Sequence, residues 1–338
     1  MRYLRNNYTD PYYNMAFDEY VLERLPLEEP HFYLWQNRPA VIIGLNQDAL
    51  AEVNVDYLRE NGIALVRRVT GGGAVYHDLG NLNYTIVGRS ADLNRDYPEY
   101  TRYMLQALQA LGVEAELSGR NDILVDGRKV SGYAKRVYKD RLMVHGTLMY
   151  DVDLAVLERA LDPSDDKLVR KGIASVRSRV ANLCEYLPEV SGIDDFRMRL
   201  EQYLSANYHD DEVLLSEEQH REVSRLAHEK FETEGWTYKR SVRGVEDKTL
   251  IIRKGRFACG TVMVELRVIN GRVVSCHLNG DFIGNLSPGL LEEALVGVNY
   301  GYDTLLECFR TIDVGCFLDG VQPEELARLI IGDGVVGM

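Results

Sequence analysis

Cysteine is scarce in this 338-residue chain: Cys184, Cys259, Cys276, Cys308 and Cys316 all follow residue 183, and no two form a CxxC pair. That excludes a zinc framework or a disulfide scaffold, and it leaves a thiol nucleophile only the later part of the chain to come from. Long apolar runs are missing too. None approaches the ~18 residues a membrane span needs, and Met1 to Asn7 has no signal-type apolar core, so a cytoplasmic protein without a membrane partner is expected. Positive charge is in deficit, with 39 Lys and Arg against 52 Asp and Glu and a net charge of -13. Nucleic acid, which needs a basic face, is therefore not the expected partner. Neither G-x-x-x-x-G-K-[ST] nor G-x-G-x-x-G occurs, and kinase and dinucleotide-binding readings fall with them.

What is present is an ordinary globular composition, 46% apolar and 27% charged, long enough for one large domain plus a small one. Its most informative stretch runs from Arg67-Arg68 through Val69-Thr70-Gly71-Gly72-Gly73-Ala74-Val75-Tyr76-His77-Asp78 to Asn81. Consecutive glycines let backbone N–H groups converge and approach a ligand closely. The two arginines add forked donors suited to phosphate or carboxylate. A glycine-rich hairpin tip with solvated arginines is the competing reading. His77 and Asp78 do not make a metal pair, because adjacent side chains on an extended backbone point apart.

Periodicity supplies the frame. Asp10-Pro11 opens a helix with Phe17, Tyr20, Val21 and Leu25 on one apolar face. Strands are expected over 32–35, 40–43, 63–68 and 82–87, then a helix from Arg102 to Leu111 ended by Gly112. A meander follows over 113–117, 122–125, 128–138 and 142–150, with Asp126-Gly127 as a hairpin turn. Alternation puts Lys129, Ser131 and Tyr133 on one strand face and Met143, His145 and Thr147 on a face of the next; the register between them stays open. Taken alone, Lys129 reads as solvated and His145 as a satisfied sheet histidine. Residues 216–234 read as a charged helix and 235–244 as loop. Two strands joined by Asn270-Gly271 and three short helices opened by Ser287-Pro288, Asp303 and Gln322-Pro323 complete the chain. The expected organisation is α+β, with a mixed-sheet domain over 1–244 and a small α+β unit over 245–338.

Several segments together resemble the lipoate-protein ligase A family of the biotin/lipoate ligase superfamily. They are Pro11 to Ala16, Leu34 to Asn37, Gly44 with Gln47, Arg67 to Asn81, Gly119-Arg120-Asn121-Asp122, Arg128 to Gly132, His145 to Leu148, and Lys171-Gly172 with Ser175 to Val180. The C-terminal region is similar to the accessory domain of the longer ligases. The resemblance implies a two-step reaction in which lipoate and ATP give lipoyl-AMP, from which a lysine of an apo lipoyl domain takes the lipoyl group. Implied acceptors are 2-oxoacid dehydrogenase acyltransferase subunits and glycine-cleavage H protein, with octanoate as a possible second acid.

By the same resemblance, Lys129 is the catalytic residue and contacts both lipoate and nucleotide. Arg68, Gly73, Ala74, Val75, Tyr76 and Asp122 join it around ATP, and Gly72, Gly73, His77 and His145 around lipoate. Asp122 is the implied Mg²⁺ ligand, and the C-terminal domain is implied to rotate between the two steps. Thr70 replaces the more usual serine and keeps the hydroxyl, while Leu45 follows Gly44 where many members have arginine. The competing functions are an ATP-independent octanoyl or lipoyl transferase, which commonly relies on a cysteine, and a non-catalytic lipoyl-carrier-binding paralogue. A biotin ligase is disfavoured because its Gly-Arg-Gly-Arg-type loop is absent.

Overall fold

A computed structural model describes residues 1–90, 93–119, 121–161, 179–208, 212–241 and 250–332. The expected break at 244/245, Arg120, and Lys171 to Ser178 lie outside the described residues. The first half contains β1 (Arg2–Leu4), α1 (Pro11–Glu23), β2 (His31–Trp35), β3 (Ala40–Ile43), α2 (Ala49–Glu52), α3 (Val55–Glu60), β4 (Ala64–Arg67), β5 (Val75–His77), β6 (Asn81–Arg89) and α4 (Leu93–Ala110). After these come β7 (Glu116–Ser118), β8 (Asp122–Val125), β9 (Arg128–Tyr138), β10 (Arg141–Met149), α5 (Leu154–Ala160), α6 (Ile193–Tyr208), β11 (Glu212–Val213), α7 (Glu217–Leu226) and α8 (Glu234–Thr237).

Eight strands form one mixed sheet in the order β11-β1-β2-β6-β10-β9-β8-β7, and β4-β3-β5 form a second. Asp10 caps α1 as expected, its Oδ1 accepting from the amides of Tyr12 and Tyr13. The single apolar face predicted for α1 is an underestimate. Nearly the whole helix is buried, Asp18 and Glu19 included, so it runs through the core and its polar residues must find internal partners.

The meander forms with the expected hairpin, Asp126 and Gly127 both at positive φ as a two-residue turn requires. Its register, open in the sequence, pairs His145 with Ala134 and Gly146 with Tyr133. The expected face on β9 needs correction. A bulge against β8 pairs Ile123 with Ser131 but Leu124 with Lys129, so the alternation slips by one. Lys129 consequently shares the cleft with Gly132, while Ser131 is buried.

The C-terminal region has three strands where two were expected: β12 (Leu250–Phe257), β13 (Gly260–Ile269) and β14 (Arg272–Asn279), antiparallel in that order. Helices α9 (Gly289–Leu295), α10 (Tyr302–Thr311) and α11 (Pro323–Ile331) pack on them around a separate hydrophobic core. Asn270 and Gly271 make the β13–β14 turn, both at positive φ.

Candidate active site

The two arginines before the glycines turn inward. Arg67 is fully buried and donates to the carbonyls of Gly44, Leu45 and Gln47 and to those of Trp236 and Thr237. It therefore clamps the β3–α2 loop to α8. Arg68 holds the glycine loop itself: Nε donates to Thr70 Oγ1 at 2.9 Å, Nη2 to Gly71 O at 2.6 Å and Gly73 O at 2.8 Å, and Nη1 to Ile42 O at 3.0 Å. Burial, then the neighbouring Arg67 charge, pushes the Arg68 guanidinium down to about 9, still cationic at neutral pH. The free phosphate-binding forks predicted from the sequence are thus committed to protein carbonyls, and Arg68 acts on the cleft by shaping its wall.

Gly72 adopts φ +89°, and a Cβ at Gly44 would lie 2.0 Å from the Gly72 carbonyl. This close approach seats the loop on β3 and leaves no room for a side chain. From the other side the C-terminal region meets the loop. Gly72 N–H donates to Phe282 O at 3.3 Å, Gly280 N–H to Asn46 O at 2.9 Å, and Lys135 pairs with Asp319 at 3.0 Å.

Beneath the loop lies a cleft of about 100 Å³, partly open to solvent. Its lining combines apolar Met15, Trp35, Ile42, Val75 and Ala134 with polar Lys129, Asn121 and Thr147. Of the residues singled out in the sequence, Arg68, Gly73, Ala74, Val75, His77, Lys129 and His145 meet around this one cleft. Gly72 and Tyr76 do not line it. Tyr76 packs instead into the core around β3 and α3, so only its backbone faces the loop.

Asp122 stands behind Lys129, its Oδ1 2.7 Å from Nζ. The Lys129 carbonyl accepts from Ala181 N–H at 3.0 Å, and Gly132 makes room for the side chain: a Cβ there would lie 2.8 Å from Nζ. Asp122 is a lone carboxylate, and among the described residues no three His, Cys, Asp or Glu side chains form a metal cluster. Such a donor set fits Mg²⁺ only as the ion usually binds, through one carboxylate together with substrate phosphates and water.

His77 Nδ1 accepts from Asn37 Nδ2 at 3.1 Å, and among the described residues its Nε2 has no hydrogen-bond partner. Burial first, then the charge on Arg68, pushes its pKa down to about 3, so the ring is neutral. No cysteine lines the cleft; Cys184 lies beside Asp151, with its thiol pushed up mainly by burial. One residue escaped the sequence reading altogether. Asp18 lies 2.7 Å from His145 Nδ1, but a carboxylate inside a helical repeat carries no signal that it is buried.

The family model described as "Lipoyl protein ligase A/B catalytic domain" matches residues 10–205, and "Bacterial lipoate protein ligase C-terminus" matches 249–330. The chain is 37% identical over 329 residues to lipoate-protein ligase LplJ of Bacillus subtilis, covering 96% of this chain and 98% of that protein. It is 38% identical over 326 residues to lipoate-protein ligase 1 of Staphylococcus aureus, with the same coverages. Among solved structures, a lipoate-protein ligase A bound with ATP is 29% identical and superposes with a TM-score of 0.62 over 71% of this chain and 98% of that one. The P. falciparum LipL1 complex with lipoate, 21% identical, shares the fold with a TM-score of 0.77 over 98% of this chain and 99% of that one.

A mixed-sheet catalytic domain with one glycine-loop cleft, followed by a small antiparallel-sheet domain, defines a two-part enzyme of the ligase class. The chain belongs to the lipoate-protein ligase family.

Proposed function

We propose that this enzyme activates free lipoate with ATP and transfers the lipoyl group to a lysine of apo lipoyl domains, glycine-cleavage H protein among them, in the cytoplasm. In the first step a lipoate carboxylate oxygen bonds to the α-phosphorus of ATP and the bond to pyrophosphate breaks. In the second, the neutral amine of the acceptor attacks the lipoyl carbonyl, the C–O bond to AMP breaks, and the amine gives up a proton. The apolar side chains lining the cleft suit the aliphatic chain. Lys129 supplies a cation to the carbonyl and the α-phosphate, where negative charge develops.

Gly73, Ala74, Val75 and the backbone of Tyr76 serve as the nucleotide wall that Arg68 shapes, with Gly72 completing the loop. His77 and His145 orient the acyl chain. Asp122 is the residue for Mg²⁺, which when bound neutralises phosphate charge. The catalytic domain ends near 244.

The observation that carries this reading is the Lys129 ammonium, held over Gly132 in the lining of a cleft that also carries Met15, Trp35 and Ile42. The absence of any cysteine from the cleft lining favours it over the transferase alternative. The test is pyrophosphate release from ATP with lipoate. Wild-type enzyme should release it, and Lys129→Ala, folded by circular dichroism, should lose about 10²-fold or more in rate. Turnover by Lys129→Ala near the wild-type rate would remove Lys129 from the chemistry.

A further inference from the structure

Four side chains, Asp18, His145, Thr70 and Arg68, link the buried helix α1 to the glycine loop. Asp18 is 1% exposed. Its Oδ1 accepts from Tyr33 Oη at 2.5 Å and Thr85 Oγ1 at 3.0 Å, and its Oδ2 lies 2.7 Å from His145 Nδ1. His145 Nε2 is 2.7 Å from Thr70 Oγ1, which in turn accepts from Arg68 Nε. Neither Asp18 nor Thr70 lines the cleft.

The directions of these bonds are constrained. The Asp18 carboxylate can only accept, so His145 donates to it through Nδ1, and in the neutral ring Nε2 is left to accept the hydrogen of Thr70. Arg68 has only donors, so the Thr70 oxygen accepts from its Nε. Every donor in the chain meets an acceptor, as a buried polar network requires. Asp18 also reaches the cleft by a second branch, because Thr85 accepts from Trp35 Nε1 at 3.0 Å and Trp35 lines the cleft.

We propose that Asp18 is a positioning residue which, through His145 and Thr70, sets the plane of the Arg68 guanidinium and so the path of Gly71 to Gly73 beside the nucleotide. This rests on the reading of the Gly73 to Val75 wall as the ATP-binding face. Arg68 Nη2 holds the carbonyls of Gly71 and Gly73, and Nε is shared between Thr70 Oγ1 at 2.9 Å and Gly71 O at 3.2 Å, so losing the Thr70 hydroxyl lets the guanidinium plane turn and loosens that wall.

Thr70→Val removes the link while leaving His145 on Asp18, and Thr70→Ser restores it. The experiment measures pyrophosphate release with the full chain as ATP and lipoate are varied separately. Thr70→Val should raise the ATP KM about tenfold or more, the scale of a lost hydrogen bond to a charged group, with the lipoate KM within about twofold. Thr70→Ser should match wild type in both. A general loss of stability would not separate the two substrates.

Asp18→Asn presents an amide N–H to His145 and forces its proton to Nε2, a change that ¹⁵N NMR of the imidazole reads directly. An unchanged ATP KM in Thr70→Val, equal damage in Thr70→Ser, or an Nε2–H tautomer in wild type would each overturn the proposal. If Asp18→Asn does not fold, the two Thr70 variants and the wild-type tautomer decide. Should wild type release no pyrophosphate with lipoate, the reading of the site fails, and the tautomers of wild type and Asp18→Asn still test the link by themselves.

Discussion

Lys129 owes its position to a residue with no side chain. Its Nζ occupies the space a Cβ at Gly132 would take, and Gly132 is extended rather than left-handed, so the glycine is needed for room and not for backbone freedom. A methyl group there displaces the flexible end of Lys129 at little cost in stability. Gly132→Ala should accordingly keep a melting temperature within a few degrees of wild type while slowing adenylate formation about tenfold or more, since an ångström of misplacement is costly at a reacting centre. Equal activity in the two proteins would show that Lys129 need not sit where it does. At this scale the sequence was partly legible. Glycines and a lysine at these spacings announce a close approach, but nothing in a sequence says whether an arginine meets a phosphate or a carbonyl. Arg68 meets carbonyls because the glycine loop turns its own oxygens toward it, and Arg67 meets those of the β3–α2 loop and α8. Asp18 was illegible for the same reason: its partners Tyr33, Thr85 and His145 are 15, 67 and 127 residues away.

Among the elements, those with local signals were found and those needing tertiary partners were not. The hairpins at Asp126-Gly127 and Asn270-Gly271 appear where their turn residues put them, whereas β12, bounded by no turn signal at its start, and the buried circumference of α1 depend on what packs against them. The bulge that aims Lys129 at the cleft is a pairing property of β8 and β9, invisible to alternation within one strand. Helix α2 shows what such packing does to a side chain. Its Glu52 faces Asp281 and Asp48, opposed by Lys254 and Gln47, and burial followed by the Asp281 charge raises its pKa to about 7. The folded protein therefore holds a proton between about pH 4.5 and 7 that the unfolded chain has released, and Glu52 costs stability as pH rises through that window. Glu52→Gln should gain in melting temperature relative to wild type from pH 5 to pH 8. A difference constant across that range would contradict the assignment of a raised pKa.

The whole molecule places two separately cored units in contact over the glycine loop, through Gly72 and Phe282, Lys135 and Asp319, and Arg240 and Glu292 at 2.5 Å. The described residues that line the cleft all belong to the first unit, which fits adenylation as that unit's own work and leaves transfer to depend on how the acceptor reaches Lys129. That a small unit follows a large one was readable from length and from the change in pattern toward the C-terminus. Their contact was not, because it rests on backbone groups of Gly72 and Gly280, which have no sequence signature. The most direct measurement is the intact mass of apo glycine-cleavage H protein after incubation with the enzyme and lipoate, with and without Mg-ATP, beside a reaction with an acyl carrier protein as donor. The account predicts one lipoyl increment from free lipoate only when ATP is present. An increment from the acyl carrier alone, without ATP, would contradict it and make the enzyme a transferase.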